Sequence, residues 1–264
     1  MKITSVRATA VLVPRPTPFT SSLGTHAGTE NAVVEIETDT GFTGIGEASS
    51  IWDRMGRGCA DDINGPLAEA LVGRDPTQIR LLSDAMDALL SPRSAPARAG
   101  VEMALWDILG KALDTPVYRL LGGAVRERLP LSRSLSMGTV DEVLAQADAL
   151  VEEGYGTLKM KVGRNAKADL SNLSALRQRF PRVILRVDAN MAWPNAKTAV
   201  RHIRELEEFD IELVEQPLHE RDLEGLRFVR ESVDTPVMAD ESVWTPADAM
   251  ACARADAADV FNVY

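Results

Sequence analysis

The sequence predicts an α/β protein in two parts: an α+β segment over residues 1–128, then alternating strands and helices over 129–264. Three observations carry that reading. Apolar residues recur at helical spacing at Val101, Ala104, Leu105, Ile108 and Ala112. Beyond Leu129, six strand-like runs alternate with five amphipathic segments, the pattern of a parallel sheet with crossover helices. The 264 residues are 45% hydrophobic and 26% charged, which fits a folded chain and excludes a disordered one or a disulfide scaffold.

Taken in order, residues 2–13 alternate loosely through Val6, Val11 and Val13, as a strand does. Residues 14–30, rich in Thr, Ser, Gly and Pro, read as a mobile loop. Two β runs, 32–38 and 42–47, flank Asp39-Thr40-Gly41 and read as a hairpin. Residues 49–58 read as loop, with Gly56 and Gly58 as breakers. Helices are expected over 61–72, 77–90 and 97–113; Pro116 stops the last, and Gly122-Gly123 precedes a boundary near Leu129. The strand runs that follow are 129–135, 157–162, 183–187, 212–215, 236–239 and 259–264. The helical segments between them are 141–153, 169–180, 195–209, 222–233 and 246–255. Several strands are short apolar runs, which suits a sheet covered on both faces. An open doubly wound sheet and a barrel both satisfy this pattern. No GxGxxG follows an early strand, so a dinucleotide site has no support.

Charge narrows the partners. The net charge of −10 repels nucleic acid phosphates and anionic lipid, so neither is expected to bind. The opening MKITSVRATAVLVPRP reads as a strand, not a signal peptide, and no apolar stretch approaches the roughly 20 residues of a membrane span. Cys59 and Cys252 lie far apart without metal-ligand spacing, so both are expected to be reduced thiols in a cytoplasmic protein.

The chemistry-bearing residues stand at one βα period. Lys159 and Lys161 lie in TLKMKVG, Asp188 in LRVDAN, Glu215 in LVEQP and Asp240 in VMADES. Lys161, Asp188 and Glu215 are 27 residues apart in turn, and Asp240 follows 25 later. One strand, one helix and two turns fill each step, so these residues share a level near the C-terminal ends of adjacent strands. Active sites of barrels gather at that rim. The two lysines, two apart, project from one strand face. A lone KxK on a strand is ordinarily a solvated face, and a lone Asp after a strand ordinarily caps the next helix. The joint pattern of a lysine pair and three acids, one per strand, asks for more. Buried ammonium groups are costly unpaired, and clustered carboxylates repel; a divalent cation answers both. Oxygen donors alone suit Mg²⁺, with Mn²⁺ as substitute. A metal on Asp188, Glu215 and Asp240 would bind a substrate carboxylate and stabilise charge when the adjacent C–H loses its proton. Lys161, nearer the rim, is the expected base; Lys159 supports it by lowering its pKa and touching the substrate carboxylate.

KMK, VDAN, VEQP and ADES, with VEMALWDILGKALDTPVYRLLGG ahead of them, resemble motifs of the mandelate racemase/muconate lactonizing enzyme branch of the enolase superfamily. The resemblance runs the whole length. It implies an α+β capping domain followed by a (β/α)8 TIM-type barrel, of which about six of eight strands are present. It implies that Asp188, Glu215 and Asp240 are the metal ligands, Lys159 and Lys161 the base motif, and Asn190, Gln216 and Glu241 their supporting neighbours. Asp240, where mandelate racemase has Glu, is closer to the muconate lactonizing subgroup. Two capping-domain loops would close over substrate; here they correspond to 16–30, with His26, and 49–58, with Trp52. The family chemistry starts from an enediolate and ends in racemisation or epimerisation, dehydration or cycloisomerisation of a small carboxylate, and its members often form homo-oligomers. Residues 129–264 are about half of the roughly 250 that a typical barrel takes. The sequence therefore reads as C-terminally truncated, with the second-face base beyond Tyr264 and an open sheet edge prone to pairing. The alternative reading is a catalytically incomplete fragment or a non-catalytic assembly subunit. A Schiff-base enzyme would also use a strand lysine, but leaves the three acids unexplained.

Overall fold

Three strands, β1 (Ile3–Ser21), β2 (Gly24–Thr38) and β3 (Thr43–Ala48), form the first sheet in that order. The structure, a computed structural model, describes residues 1–49 and 55–263. β2 and β3 run antiparallel, from Ala32 opposite Ala48 to Glu37 opposite Thr43, around the expected turn. The expected loop over 14–30 is corrected: β1 runs through the prolines to Ser21, and β2 starts at Gly24. The reason is parity on an edge strand. Ala8 and Thr20 turn their N–H groups away from β2, to Asn64 Oδ1 and Ser136 Oγ. Pro14, Pro16 and Pro18 share that parity, so their missing N–H groups remove no ladder bond.

Helices follow. The expected loop over 49–58 is corrected in its last part, because Gly56 and Gly58 lie in α1 (Gly56–Asp62). Gly56 is there for close approach: a Cβ on it would stand 2.3 Å from the Asn31 carbonyl oxygen. The single helix expected over 61–72 is interrupted. A wide turn, Ile63–Leu67, separates α1 from α2 (Ala68–Leu71) at Pro66, which has no N–H to continue the ladder. Next come α3 (Ile79–Leu89) and α4 (Ala95–Ala112). A short α5 (Val117–Leu120), absent from the sequence reading, starts after Pro116. α4 lies on β3, and Gly46 permits it: a Cβ there would sit 1.9 Å from the Gly100 carbonyl oxygen. Ile36, Ile63, Leu67, Met86, Leu105 and Ile108 fill the core between them.

The chain divides into two compact units: Met1–Thr17 with Ala27–Glu127, and Pro18–His26 with Arg128–Tyr264. The second holds a six-stranded parallel sheet in sequence order: β4 (Ser132–Leu135), β5 (Thr157–Lys161), β6 (Ile184–Asp188), β7 (Ile211–Glu215), β8 (Val237–Ala239) and β9 (Val260–Phe261). Five helices connect them: α6 (Val140–Glu152), α7 (Ala166–Arg179), α8 (Ala196–Leu206), α9 (Leu223–Ser232) and α10 (Pro246–Arg254). Each starts on a side-chain cap. Thr139, Asn165, Asn195, Asp222 and Thr245 accept the N–H bonds, with reciprocal boxes at Thr139/Glu142 and Thr245/Asp248.

This sheet is not apolar on both faces, as its short strands suggested. Leu158, Met160, Leu185, Val187, Val214 and Val237 pack with the helices in one core. Their neighbours Lys159, Lys161, Arg186, Asp188, Glu215 and Met238 project to the opposite face. That is the alternation of a barrel-type sheet. No helix among the described residues is long and apolar enough to cross a membrane.

Candidate active site

Parallel pairing sets the level of the charged residues. Lys161 is opposite Asp188 across β5 and β6, and Asp188 is opposite Glu215 across β6 and β7. Glu215 is opposite Met238, so Asp240 lies two residues further along, on the same face. The ladder runs past the strand ends. Ala189 N–H donates to the Glu215 carbonyl, Gln216 N–H to the Met238 carbonyl and Asn262 N–H to the Ala239 carbonyl, at 2.8–3.0 Å. These bonds keep the acid-bearing residues together where the chain leaves the sheet.

The side chains meet as the two-residue spacing of the lysines requires. Lys159 Nζ donates to both Glu215 oxygens, at 3.0 and 2.9 Å, and stands 3.2 Å from Asp188 Oδ2. Lys161 Nζ donates to Asp188 Oδ2 at 2.5 Å and to Asn190 Oδ1 at 2.8 Å. The acids are deeply buried: Asp188 is 1% exposed, Glu215 3% and Asp240 4%. Charge is consequently strained. Burial opposes ionisation of Asp188, but Lys161 and Lys159 outweigh it and hold its carboxyl below the usual range. Burial, with the charge of Asp188, pushes Glu215 up to about 7 although Lys159 pulls the other way. Burial also disfavours the Lys159 ammonium, yet Asp188 and Glu215 raise its pKa overall.

Asn190, Gln216 and Glu241 organise this cluster. Asn190 donates its N–H to Asp188 Oδ1 at 2.9 Å and its side-chain amide to Glu241 Oε1 at 3.0 Å. Gln216 Oε1 accepts from the Asp240 and Ser242 N–H groups, and its amide donates to Leu218 O and Ser242 Oγ. Asn190, Met191 and Gln216 have φ of 43°, 62° and 37°, a left-handed backbone that non-glycine residues rarely adopt and that clusters at functional sites. Glu241 is 1% exposed, and its Oε2 has no hydrogen-bond partner among the described residues. Burial and the charge of Asp240 push its carboxyl up to about 8.

As the side chains stand, no three His, Cys, Asp or Glu residues among the described residues are posed to hold one metal ion. The reason lies in the contacts: ammonium groups occupy Asp188 and Glu215, and Asn262 donates to Asp240 Oδ1 at 2.6 Å. The donor chemistry nevertheless fits a hard divalent cation. Asp188, Glu215, Asp240 and Glu241 are buried oxygen donors that outnumber Lys159 and Lys161, and Glu241 Oε2 is left over.

One sequence expectation is placed outside this network, and one has no description. His26 is exposed on β2, with no hydrogen bond or ion pair to the cluster among the described residues. Trp52 lies outside the described residues. Sequence reasoning missed Asn262 and Ser242. Asn262 directly follows β9, the next strand after Asp240, but stands only 22 residues after it, short of the 25–27 step that found the acids.

Comparison with known proteins agrees along the whole chain. Residues 3–122 match the mandelate racemase/muconate lactonizing enzyme N-terminal domain, and residues 142–264 match the enolase C-terminal domain-like family. The N-succinyl-L-Arg/Lys racemase of Bacillus cereus is 31% identical over 267 residues, covering 100% of this chain and 72% of the racemase. The chloromuconate cycloisomerase of Pseudomonas putida is 32% identical over 274 residues, with 100% and 72% covered. A crystal structure of the dipeptide epimerase of Enterococcus faecalis, complexed with Mg and the dipeptide L-Leu-L-Tyr, superposes with a TM-score of 0.92. It is 35% identical, and the match covers 99% of this chain and 74% of the epimerase. The chain belongs to the mandelate racemase/muconate lactonizing enzyme family and is an enolase-superfamily enzyme.

Proposed function

We propose that this protein removes the α-proton of a small carboxylate substrate, with Lys161 as the base. The observation that carries the reading is the register of Lys161, Asp188 and Glu215 across three adjacent strands, with both lysines on the acids. Asp188, Glu215 and Asp240 would hold Mg²⁺, with Mn²⁺ as a substitute. Bound there, the ion supplies a Lewis acid for the negative charge that develops on the substrate carboxylate. The protein's own groups do the rest. Lys159 binds a substrate carboxylate oxygen. The Lys161 amine, held by Asn190, takes the proton from the adjacent carbon, whose electron pair passes into the carboxylate as an enediolate. Asn190 and Gln216 keep the ligand-bearing strand ends fixed.

The relatives act on N-acylated amino acids, dipeptides and chloromuconate by their names, and amino-acid-derived carboxylates are the substrate class we favour. Racemisation or epimerisation needs a proton returned from the other face; a single lysine supports exchange on one face. The test is proton NMR of L-Leu-L-Tyr and N-succinyl-L-lysine in deuterated water with Mg²⁺. Loss of an α-proton signal that depends on the protein supports the reading. No exchange in either compound, or in a wider panel of carboxylates, overturns it.

A further inference from the structure

The tip of the β1–β2 hairpin is pinned to the ends of three successive parallel strands. Past β4, Thr20 donates its N–H to Ser136 Oγ at 2.8 Å and accepts the Met137 N–H at 2.9 Å. Past β5, the Arg164 guanidinium donates to the Ser22 carbonyl at 3.3 and 3.4 Å. Past β6, the Ser22 hydroxyl is shared between the Ala189 and Asn190 carbonyl oxygens, at 3.0 and 3.2 Å. Those carbonyls lead into the left-handed Asn190–Met191 turn. A turn of that kind, built without glycine, persists only where its surroundings hold it. Met191 N–H is tied to the Gln216 carbonyl at 2.8 Å on one side, and Ser22 holds the other. The Asn190 side chain on this turn is the neutral partner of Lys161 Nζ.

We propose that Ser22 is a positioning residue: its hydroxyl latches the Asn190 turn, and through the Asn190 side chain it sets the Lys161 amine in its working place. This rests on the reading of Lys161 as the base. Ser22 acts through Asn190 and not on the reacting atoms. The latch joins residues 167 apart in sequence, so the base is in place only when the hairpin tip is seated.

The experiment compares Ser22→Ala, which removes the hydroxyl, with Ser22→Thr, which keeps it. Amide hydrogen exchange at Met191 is measured on the full chain without substrate. It is expected to quicken about tenfold in Ser22→Ala, as befits loss of one hydrogen bond, and to return to the parent rate in Ser22→Thr. In the α-proton assay, Ser22→Ala is expected to lower kcat about tenfold with KM within about twofold, and Ser22→Thr to restore most of kcat. Unchanged Met191 exchange in Ser22→Ala overturns the latch, as does a kcat loss that Ser22→Thr fails to recover. A parent that turns over no carboxylate refutes the base assignment instead, and the Met191 exchange then still decides whether the latch exists.

Discussion

The two faces of the six-stranded sheet are made by the same strands and have opposite characters. In β5, Leu158 and Met160 lie in the helix-covered core, while Lys159 and Lys161 reach across the other face to Asp188 and Glu215. In β6, Leu185 and Val187 are core, and Asp188 belongs to the charged cluster. Alternation keeps the two tasks apart. The apolar face gains from every methylene it removes from water. The charged face holds more acids than bases in a buried place, which costs stability and suits the binding of a cation. Substitutions on the two faces should therefore separate fold from chemistry.

The largest contrast is between Lys161→Ala and Leu185→Ala. Lys161→Ala should lower α-proton exchange by about a thousandfold, the range for loss of a general base. Leu185→Ala opens a cavity in the core and should cost about 3 kcal/mol in urea unfolding. Exchange per folded molecule should survive in Leu185→Ala. If Lys161→Ala retains full exchange, the division of labour between the faces fails at its chemical end.

A smaller effect concerns Mg²⁺ affinity. Glu215 titrates near pH 7 because burial and Asp188 disfavour its charge, and it must be ionised to bind a cation. Below that pH, binding releases a proton, so affinity should rise by up to about tenfold per pH unit and level off above it. Calorimetric titration with Mg²⁺ between pH 6 and 8 measures the slope. An affinity flat across that range would remove Glu215 from the proposed ligand set.

Much of this charged face can be read from the amino-acid order, because a repeated βα unit returns each strand end to the same level. The spacing between Lys161, Asp188 and Glu215 is local arithmetic, and the observed register matches it. The hairpin tip resists such reading. Pro14, Pro16 and Pro18 signal a loop by composition, and only the identity of β1 as an edge strand makes them harmless. Gln216 is likewise illegible in its backbone, since glutamine does not seek φ above zero; asparagine visits that region more readily, but most asparagines do not, so Asn190 is not marked either. Tertiary bonds to Glu241, Ser242 and Lys161 hold them there. Asn262 was not legible by that arithmetic, because it comes 22 residues after Asp240 and its bond to Asp240 depends on a strand of two residues.

The finest probe of the charged face is Glu241→Gln in a metal-free sample. Glu241 keeps one bond, from Asn190 to Oε1, while Oε2 is buried with no partner among the described residues. Its carboxyl is raised to about 8 by burial, then by Asp240, against an ordinary 4.5. A carboxyl raised on folding holds its proton longer in the native state than in the unfolded chain. It costs nothing below the unfolded pKa, and its penalty grows as pH climbs from there toward the folded value. Glutamine preserves the Oε1 acceptor and cannot ionise. The variant should match the parent closely near pH 4.5 and exceed it by on the order of 4 kcal/mol near pH 8, where the penalty approaches its limit. Urea titrations at both pH values, with chelator present, give the difference directly. A gap of equal size at the two values would trace the effect to packing, and a loss at pH 8 would mean that Glu241 is paired in the folded chain and the surplus of acids is smaller than the contacts imply.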